Sequence, residues 1–211
     1  MSTQDLIAQL SDGLEPRAPI RSRDGLGLVV GALVFTIILV AGIFGLWWAG
    51  LAGGAAPIFY IGSAMLLVLG AGAASATVAM ASPRVGNRNE GPLWGMAMIA
   101  VLPLTALAIG ISEGSHAHEM VHGYGLECMV YGTLSGLLVF AALAFWLRRG
   151  APVSLQTAGL YAGVAGGALG SFAYGLACPL DGMVHFGLWH ILPVAVGGVA
   201  GRIALPGFIR W

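Results

Sequence analysis

Long apolar runs dominate this chain of 211 residues, and they decide what it can fold into. A helix needs about 20 consecutive apolar residues to cross the hydrocarbon core of a bilayer. Six runs approach or exceed that length: 26–48, 57–81, 92–111, 129–147, 153–177 and 186–205. Charged residues make up only 9% of the chain, too little to cover a soluble domain. The sequence predicts an all-α, polytopic membrane protein with six transmembrane helices and the lipid bilayer as a partner.

The positions of the arginines in the loops predict the orientation of these spans. The chain has nine cationic side chains and no lysine: Arg17, Arg21, Arg23, Arg84, Arg88, Arg148, Arg149, Arg202 and Arg210. All of them fall on one side of the predicted spans, and such loops stay in the cytoplasm because their translocation is unfavourable. We therefore expect a multi-pass protein of the bacterial inner membrane with both termini in the cytoplasm. A net charge of zero offers no field for nucleic acid, so direct contact with nucleic acid is not expected.

The chain divides into a cytoplasmic tail and linker, residues 1–24, and a transmembrane domain, residues 25–211. In the tail, Ser2 and Asp5 have the spacing of a capping box. Four apolar residues share one face of the predicted short amphipathic helix: Leu6, Ile7, Leu10 and Leu14. So short a helix is marginal in water, and its acidic polar face does not suit anionic lipid. A groove on a partner protein is the favoured surface, and a frayed tail without a role is the alternative.

Both cysteines and all five histidines are predicted on the face opposite the arginines. Cys128 opens the fourth span and Cys178 closes the fifth, which places them at the same depth. The candidate metal ligands there are Cys128, Cys178, Asp181, His185 and His190. Cysteine with histidine suits zinc, cadmium or copper, and a disulfide is also possible in an oxidising compartment. The alternative is that both cysteines are small buried hydrophobes; the loop residues His116, His118 and His122 are interpreted singly as solvated.

Several functions are disfavoured by what the spans lack. Their cores hold no Asp, Glu, Lys or Arg, which argues against transport of charged solutes. The cytoplasmic loops offer no acid and base pair, so we expect no enzyme and no catalytic residue. One cysteine pair is too few for a quinone-linked thiol oxidase, and His190 alone cannot ligate a b-type haem. Small residues recur every fourth position in the fifth span, which favours close helix packing within one chain: Gly159, Gly163, Gly167, Ser171 and Gly175.

The chain resembles the NrsF-like negative regulators of extracytoplasmic-function sigma factors in proteobacteria. The resemblance rests on the leucine-containing tail, the six spans, the segment GLECMVYG from Gly125 to Gly132, and the segment AYGLACPLDGMVHFGLWH from Ala173 to His190. It implies a membrane-bound anti-sigma factor whose tail binds a sigma factor around Leu6, Leu10 and Leu14. It also implies that Cys128 and Cys178 take part in sensing heavy metals or oxidative stress. No obligatory cofactor is implied beyond transient binding of a soft or borderline heavy-metal ion.

Two other readings stay open at this point. One is a metal-handling or redox membrane protein that works on the periplasmic face and has an idle tail. The other is a transporter of a neutral solute, which would show substrate-dependent uptake into vesicles.

Overall fold

A computed structural model describes residues 2–12, 20–83, 90–112 and 124–209. Within these ranges the fold is all-helical, as predicted. The helices are α1 Thr3–Ser11, α2 Ser22–Phe44, α3 Pro57–Met80, α4 Gly91–Ile99, α5 Val101–Ser112, α6 Gly125–Ser135, α7 Leu137–Arg148, α8 Leu155–Gly175, α9 Met183–Trp189 and α10 Leu192–Ile209. A single π-helical turn, Gly50–Gly54, lies between α2 and α3.

Five helical stretches in the described residues are long and apolar enough to cross a membrane. They are Ser22–Phe44, Pro57–Met80, Gly91–Ser112, Gly125–Arg148 and Met183–Ile209, and they match the first four and the last of the predicted spans. The fifth predicted span coincides with α8, whose 21 residues reach about 31 Å at about 1.5 Å per residue. Its glycines make α8 less apolar than the other five, so the sixth span stays a prediction.

Three of the five stretches are each divided into two helices, and proline explains two of these breaks. Proline has no N–H to donate to the residue four positions earlier, and its ring clashes with that carbonyl. Pro103 lies four residues after the end of α4, and Pro193 lies four residues after the end of α9. Beyond α9 the backbone tightens, and the Val194 N–H donates to the Ile191 carbonyl, 3.0 Å away. The break between α6 and α7 falls at Gly136.

Helix α8 lies at the centre of the bundle, and most of its residues are buried. Its glycines meet the backbone of α10 directly, in the pairs Gly159 with Gly201, Gly163 with Gly197, and Gly167 with Pro193. On another side, Gly170 meets the backbone of Gly136 between α6 and α7. A Cβ atom at any of these glycines of α8 would overlap the neighbouring backbone. The stripe therefore packs helices within one chain, as the sequence indicates.

The bundle has two chemically distinct ends. At one end, the Ala151 N–H donates to the Ala81 carbonyl at 2.8 Å, which joins the connections after α3 and α7. We call it the arginine end because the described arginines lie there: Arg21, Arg23, Arg148, Arg149 and Arg202. At the other, the cysteine end, the Trp47 N–H donates to the Leu176 carbonyl at 2.9 Å. Arg17, Arg84, Arg88 and Arg210 lie outside the described residues, and the side of the membrane that each end faces stays a prediction.

The tail helix α1 carries the capping box that the sequence predicts. Asp5 Oδ2 accepts from the Ser2 backbone N–H at 2.9 Å, and Ser2 Oγ accepts from the Asp5 N–H at 3.2 Å. No residue of α1 is buried; Leu6, Ile7 and Leu10 are 41%, 55% and 68% exposed. Leu14 lies outside the described residues. The apolar face of α1 is thus not covered by the described parts of the bundle.

Candidate functional site

Four side chains with metal-binding or redox chemistry converge at the cysteine end. They are Cys128, Cys178, His185 and His190, and one ligand atom from each lies within 4.8 Å of all the others. The two sulfurs are 3.6 Å apart, and Cys178 Sγ is 3.6 Å from His185 Nε2. Both cysteines and His190 are buried, while His185 is half-buried. We call this group the thiol–imidazole cluster.

Three separate elements bring the cluster together. Cys128 lies in the first turn of α6, and Cys178 follows three residues after the end of α8. His185 is on the short helix α9, and His190 caps the end of that helix. Helix α9 is held between its neighbours by large side chains seated on glycines: Phe186 packs on Gly62, and Trp189 packs on Gly125. The predicted proximity of the two cysteines, 50 positions apart, is therefore present in the fold.

The imidazole of His190 is fully buried, with 0% exposure. Its ring stacks on Phe186 with centroids 4.8 Å apart and faces Tyr174 at 6.3 Å. Ser171 Oγ donates to the His190 carbonyl at 2.6 Å and lies 3.4 Å from Nδ1. Nε2 is buried without a hydrogen-bond partner among the described residues. A buried polar atom without a partner costs about 1–3 kcal/mol, and such atoms in native proteins call for an explanation such as an ion.

The electrostatics of the cluster favour one thiolate. The Cys128 thiol donates a hydrogen bond to Cys178, and this bond holds the pKa of the Cys178 thiol well below its ordinary value. Burial of Cys178 opposes the shift, and the hydrogen bond with His185 supports it. Thiolate rather than thiol is the nucleophile and the metal ligand, and the His185 imidazole 3.6 Å from Cys178 Sγ favours the thiolate on that sulfur.

Asp181 was predicted as a fifth ligand, and the structure places it elsewhere. Its Oδ2 accepts a hydrogen bond from the backbone N–H of Ala56, 2.5 Å away, just before α3. The turn after Cys178 thus directs the carboxylate toward a neighbouring connection, and Asp181 does not join the four-residue cluster. His116, His118 and His122 lie outside the described residues.

A cavity of about 270 Å³ leads to the two cysteines. Its lining includes Tyr124, Glu127 and Tyr174 beside both cysteine side chains. Glu127, whose side chain is exposed, contributes a carboxylate to this lining, which attracts cations. Neither Tyr174 nor the polar role of Ser171 can be recognised in the sequence, because an aromatic or a small residue on an apolar helix is typical of simple packing.

The fold and the site define a class. It is a helical bundle with helices long and apolar enough to span a membrane, a thiol–imidazole cluster at one end, and a helix with an exposed leucine face that precedes the other end. The profile of the NrsF family, described as negative regulator of sigma F, matches residues 10–211. A curated relative, the probable anti-sigma-F factor NrsF of Azospira oryzae, is 25% identical over the full length of both chains. No solved structure matches. The chain belongs to the NrsF family of anti-sigma factors.

Proposed function

We propose that the chain is an anti-sigma factor of the bacterial inner membrane that sequesters an extracytoplasmic-function sigma factor through its cytoplasmic tail. Heavy metal or oxidative stress, sensed on the periplasmic side by Cys128 and Cys178, releases the sigma factor. The observation that carries the proposal is the exposed apolar face of α1, on a chain of an anti-sigma family.

The tail has the properties of a segment that binds in a groove. Leu6, Ile7 and Leu10 lie on one face and are left exposed, which is the pattern of helix-in-groove recognition. The capping box gives the helix a defined start, which lowers the ordering cost on binding. Asp5 and Asp12 make the polar face acidic, which favours a protein partner over an anionic membrane surface.

The sensing step is assigned to the two sulfurs because of their separation and burial. At 3.6 Å, they are close enough for oxidation to a disulfide or for a shared metal ion to draw them together. Either change favours one arrangement of α6, which carries Cys128, relative to the segment after α8, which carries Cys178. A signal shifts an equilibrium only by its differential affinity for two arrangements. The glycine contacts between α8 and α10 are a smooth surface along which these helices could slide.

The test is a transcriptional reporter for the partner sigma factor. Deletion of residues 2–12 should give constitutive reporter activity, because the sigma factor is no longer held. Cys128→Ser and Cys178→Ser should each repress normally and fail to respond to cadmium or to a thiol oxidant. A tail-deleted chain that still represses would reject sequestration by the tail, and an unchanged response of both serine variants would reject the sensing role.

The thiol–imidazole cluster also supports a second candidate, a metal-handling or redox membrane protein with an idle tail. The two proposals separate in the tail-deleted chain, measured for metal tolerance as well as for reporter activity. A metal handler keeps its tolerance phenotype without residues 2–12, whereas an anti-sigma factor without them behaves as a complete deletion of the gene.

A further inference from the structure

We infer that the thiol–imidazole cluster is a four-coordinate site for one borderline-soft divalent cation of the Zn²⁺ or Cd²⁺ type. Its ligands are the sulfurs of Cys128 and Cys178 and the imidazoles of His185 and His190. Ser171 is a positioning residue that fixes His190 to bind through Nε2. The regulatory meaning of this site rests on the proposed function, whereas binding itself is tested without the sigma factor.

The separations within the cluster fit a tetrahedral ion. Zinc binds sulfur at about 2.3 Å and imidazole nitrogen at about 2.0–2.1 Å, so tetrahedral ligands lie about 3.8 Å apart for two sulfurs and about 3.6 Å apart for sulfur and nitrogen. The observed separations are 3.6 Å between the sulfurs and 3.6 Å between Cys178 Sγ and His185 Nε2. All four ligand atoms lie within 4.8 Å of one another. An ion could be enclosed by side-chain shifts on the order of 1 Å.

The hydrogen bonds of Ser171 determine which nitrogen of His190 is free. The single hydroxyl proton of Ser171 is directed to the His190 carbonyl oxygen, 2.6 Å away. Toward Nδ1, 3.4 Å away, Ser171 Oγ therefore acts as an acceptor, which places the imidazole proton on Nδ1. Nε2 then keeps its lone pair, and it is the buried atom without a hydrogen-bond partner among the described residues. Histidines that bind metals have this arrangement: one nitrogen donates to a neighbour and the other ligates.

The donor set also determines the class of cation. Two thiolates balance the charge of one divalent ion, so the filled site carries no net charge into a buried environment. Their protons leave to water as the metal–sulfur bonds form. Mg²⁺ and Ca²⁺ require oxygen ligands, and the nearest predicted one, Asp181, is bonded to Ala56 instead. The carboxylate of Glu127 lines the same cavity as the two sulfurs and attracts cations to it.

The test is titration of the reduced, detergent-solubilised full chain with Co²⁺, read by absorbance. We expect one Co²⁺ per chain, with thiolate-to-cobalt charge transfer and the intense visible bands of a four-coordinate ion, displaced by Zn²⁺ or Cd²⁺. His190→Gln should weaken binding at least about tenfold. His185→Gln should do the same, and because His185 is only half-buried, this variant tests the ligand set even if the first variant does not fold. Asp181→Asn, which can still accept from Ala56, should match the wild-type chain.

The positioning role of Ser171 needs its own variant. Ser171→Ala should weaken Co²⁺ binding by about 10- to 100-fold while the charge-transfer band at saturation is unchanged, because both sulfurs still ligate. Thr77→Ala is the matched control: Thr77 is a fully buried hydroxyl bonded to the Ala73 carbonyl of its own helix, and its loss should leave the affinity unchanged.

Three results would overturn the inference. They are a six-coordinate Co²⁺ spectrum, wild-type affinity in both histidine variants, or loss of binding in Asp181→Asn. Equal losses of Co²⁺ affinity in Ser171→Ala and Thr77→Ala would reject the positioning role of Ser171. No sigma factor is present in this titration, so its failure would not affect the reporter test of the tail. Failure of the reporter test would likewise leave the titration result unaffected.

Discussion

Leu10→Gln gives the sharpest test of the tail. Glutamine has nearly the length and helix propensity of leucine, so the substitution removes apolar burial and leaves the helix intact. Leu10 is 68% exposed in the free chain, and this surface is what a partner groove would cover. Complete burial of a leucine contributes about 1.5–3 kcal/mol, so the surface still available contributes about 1–2 kcal/mol.

This free energy converts directly into affinity. With about 1.4 kcal/mol for each factor of ten, Leu10→Gln should weaken sigma factor binding by about 5- to 30-fold. The same reasoning for Leu6, Ile7 and Leu10 changed together gives a loss on the order of 10²- to 10³-fold. The assay is fluorescence anisotropy of labelled peptide 1–24 with the purified sigma factor, supported by the reporter for the full chain.

Ala8→Gln is the matched control, since it places the same side chain on the opposite, exposed face of α1. It should bind within about twofold of the wild-type peptide, because surface substitutions usually change free energies by no more than about 0.5 kcal/mol. Equal losses for Leu10→Gln and Ala8→Gln, or no loss for the triple variant, would refute the idea that this apolar face is the contact surface.

Three further predictions concern other parts of the chain. Gly163→Val should destabilise the bundle by about 1–3 kcal/mol or more, because its side chain would overlap the backbone of Gly197; Gly72→Val, where a Cβ meets open space, should leave the thermal unfolding midpoint in detergent nearly unchanged. A thiol oxidant should remove two protons and two electrons from Cys128 and Cys178 and form one disulfide within the chain, seen as a 2 Da mass loss, about the mass of two hydrogen atoms; a covalent dimer instead would contradict the observed proximity. Hydrogen bonds from the backbone and the side chain of Ser2 hold the pKa of Asp5 below 3.8, so the capping box stabilises α1 above that pH and is lost as pH falls through the lowered pKa; circular dichroism of peptide 1–24 should show this acid loss, and Asp5→Asn should reduce it.

The sequence was sufficient for the helical fold class because apolar runs and capping chemistry act locally. The capping box of Ser2 and Asp5 and the stripe through Gly163 both appear in the structure as predicted. The sequence also predicted that the arginines share one end of the bundle, and the described arginines do lie at one end. Each of these features can be predicted from local sequence. The glycine stripe follows from the helical period, the capping box from residues three positions apart, and the two ends from the alternation of successive loops between them.

The details of the site could not be predicted in the same way, because they depend on contacts between distant segments. Asp181 has a ligand-like spacing from Cys178 and His185, yet Ala56, 125 positions away, holds its carboxylate. Ser171 looked like one more small residue of the stripe, and only its position beside His190 shows a polar role. The packing of Phe186, on the short helix α9, against Gly62 of α3 also cannot be predicted from the sequence.

The interruption between α9 and α10 links backbone geometry to coordination. Since Val194 pairs with Ile191, the carbonyl of His190 is available to a donor from outside its own helix, and Ser171 is that donor. Pro193, which lacks the N–H that would pair with the Trp189 carbonyl, lies at this interruption, and the next N–H along the chain, that of Val194, pairs with Ile191 instead of His190. In an uninterrupted helix, the Val194 N–H would donate to the His190 carbonyl. The hydroxyl proton of Ser171 would then be free to rotate toward the imidazole, and the tautomer presented to an incoming ion would change. The tautomer of the ring thus depends on a backbone hydrogen bond that Val194 makes to Ile191 rather than to His190.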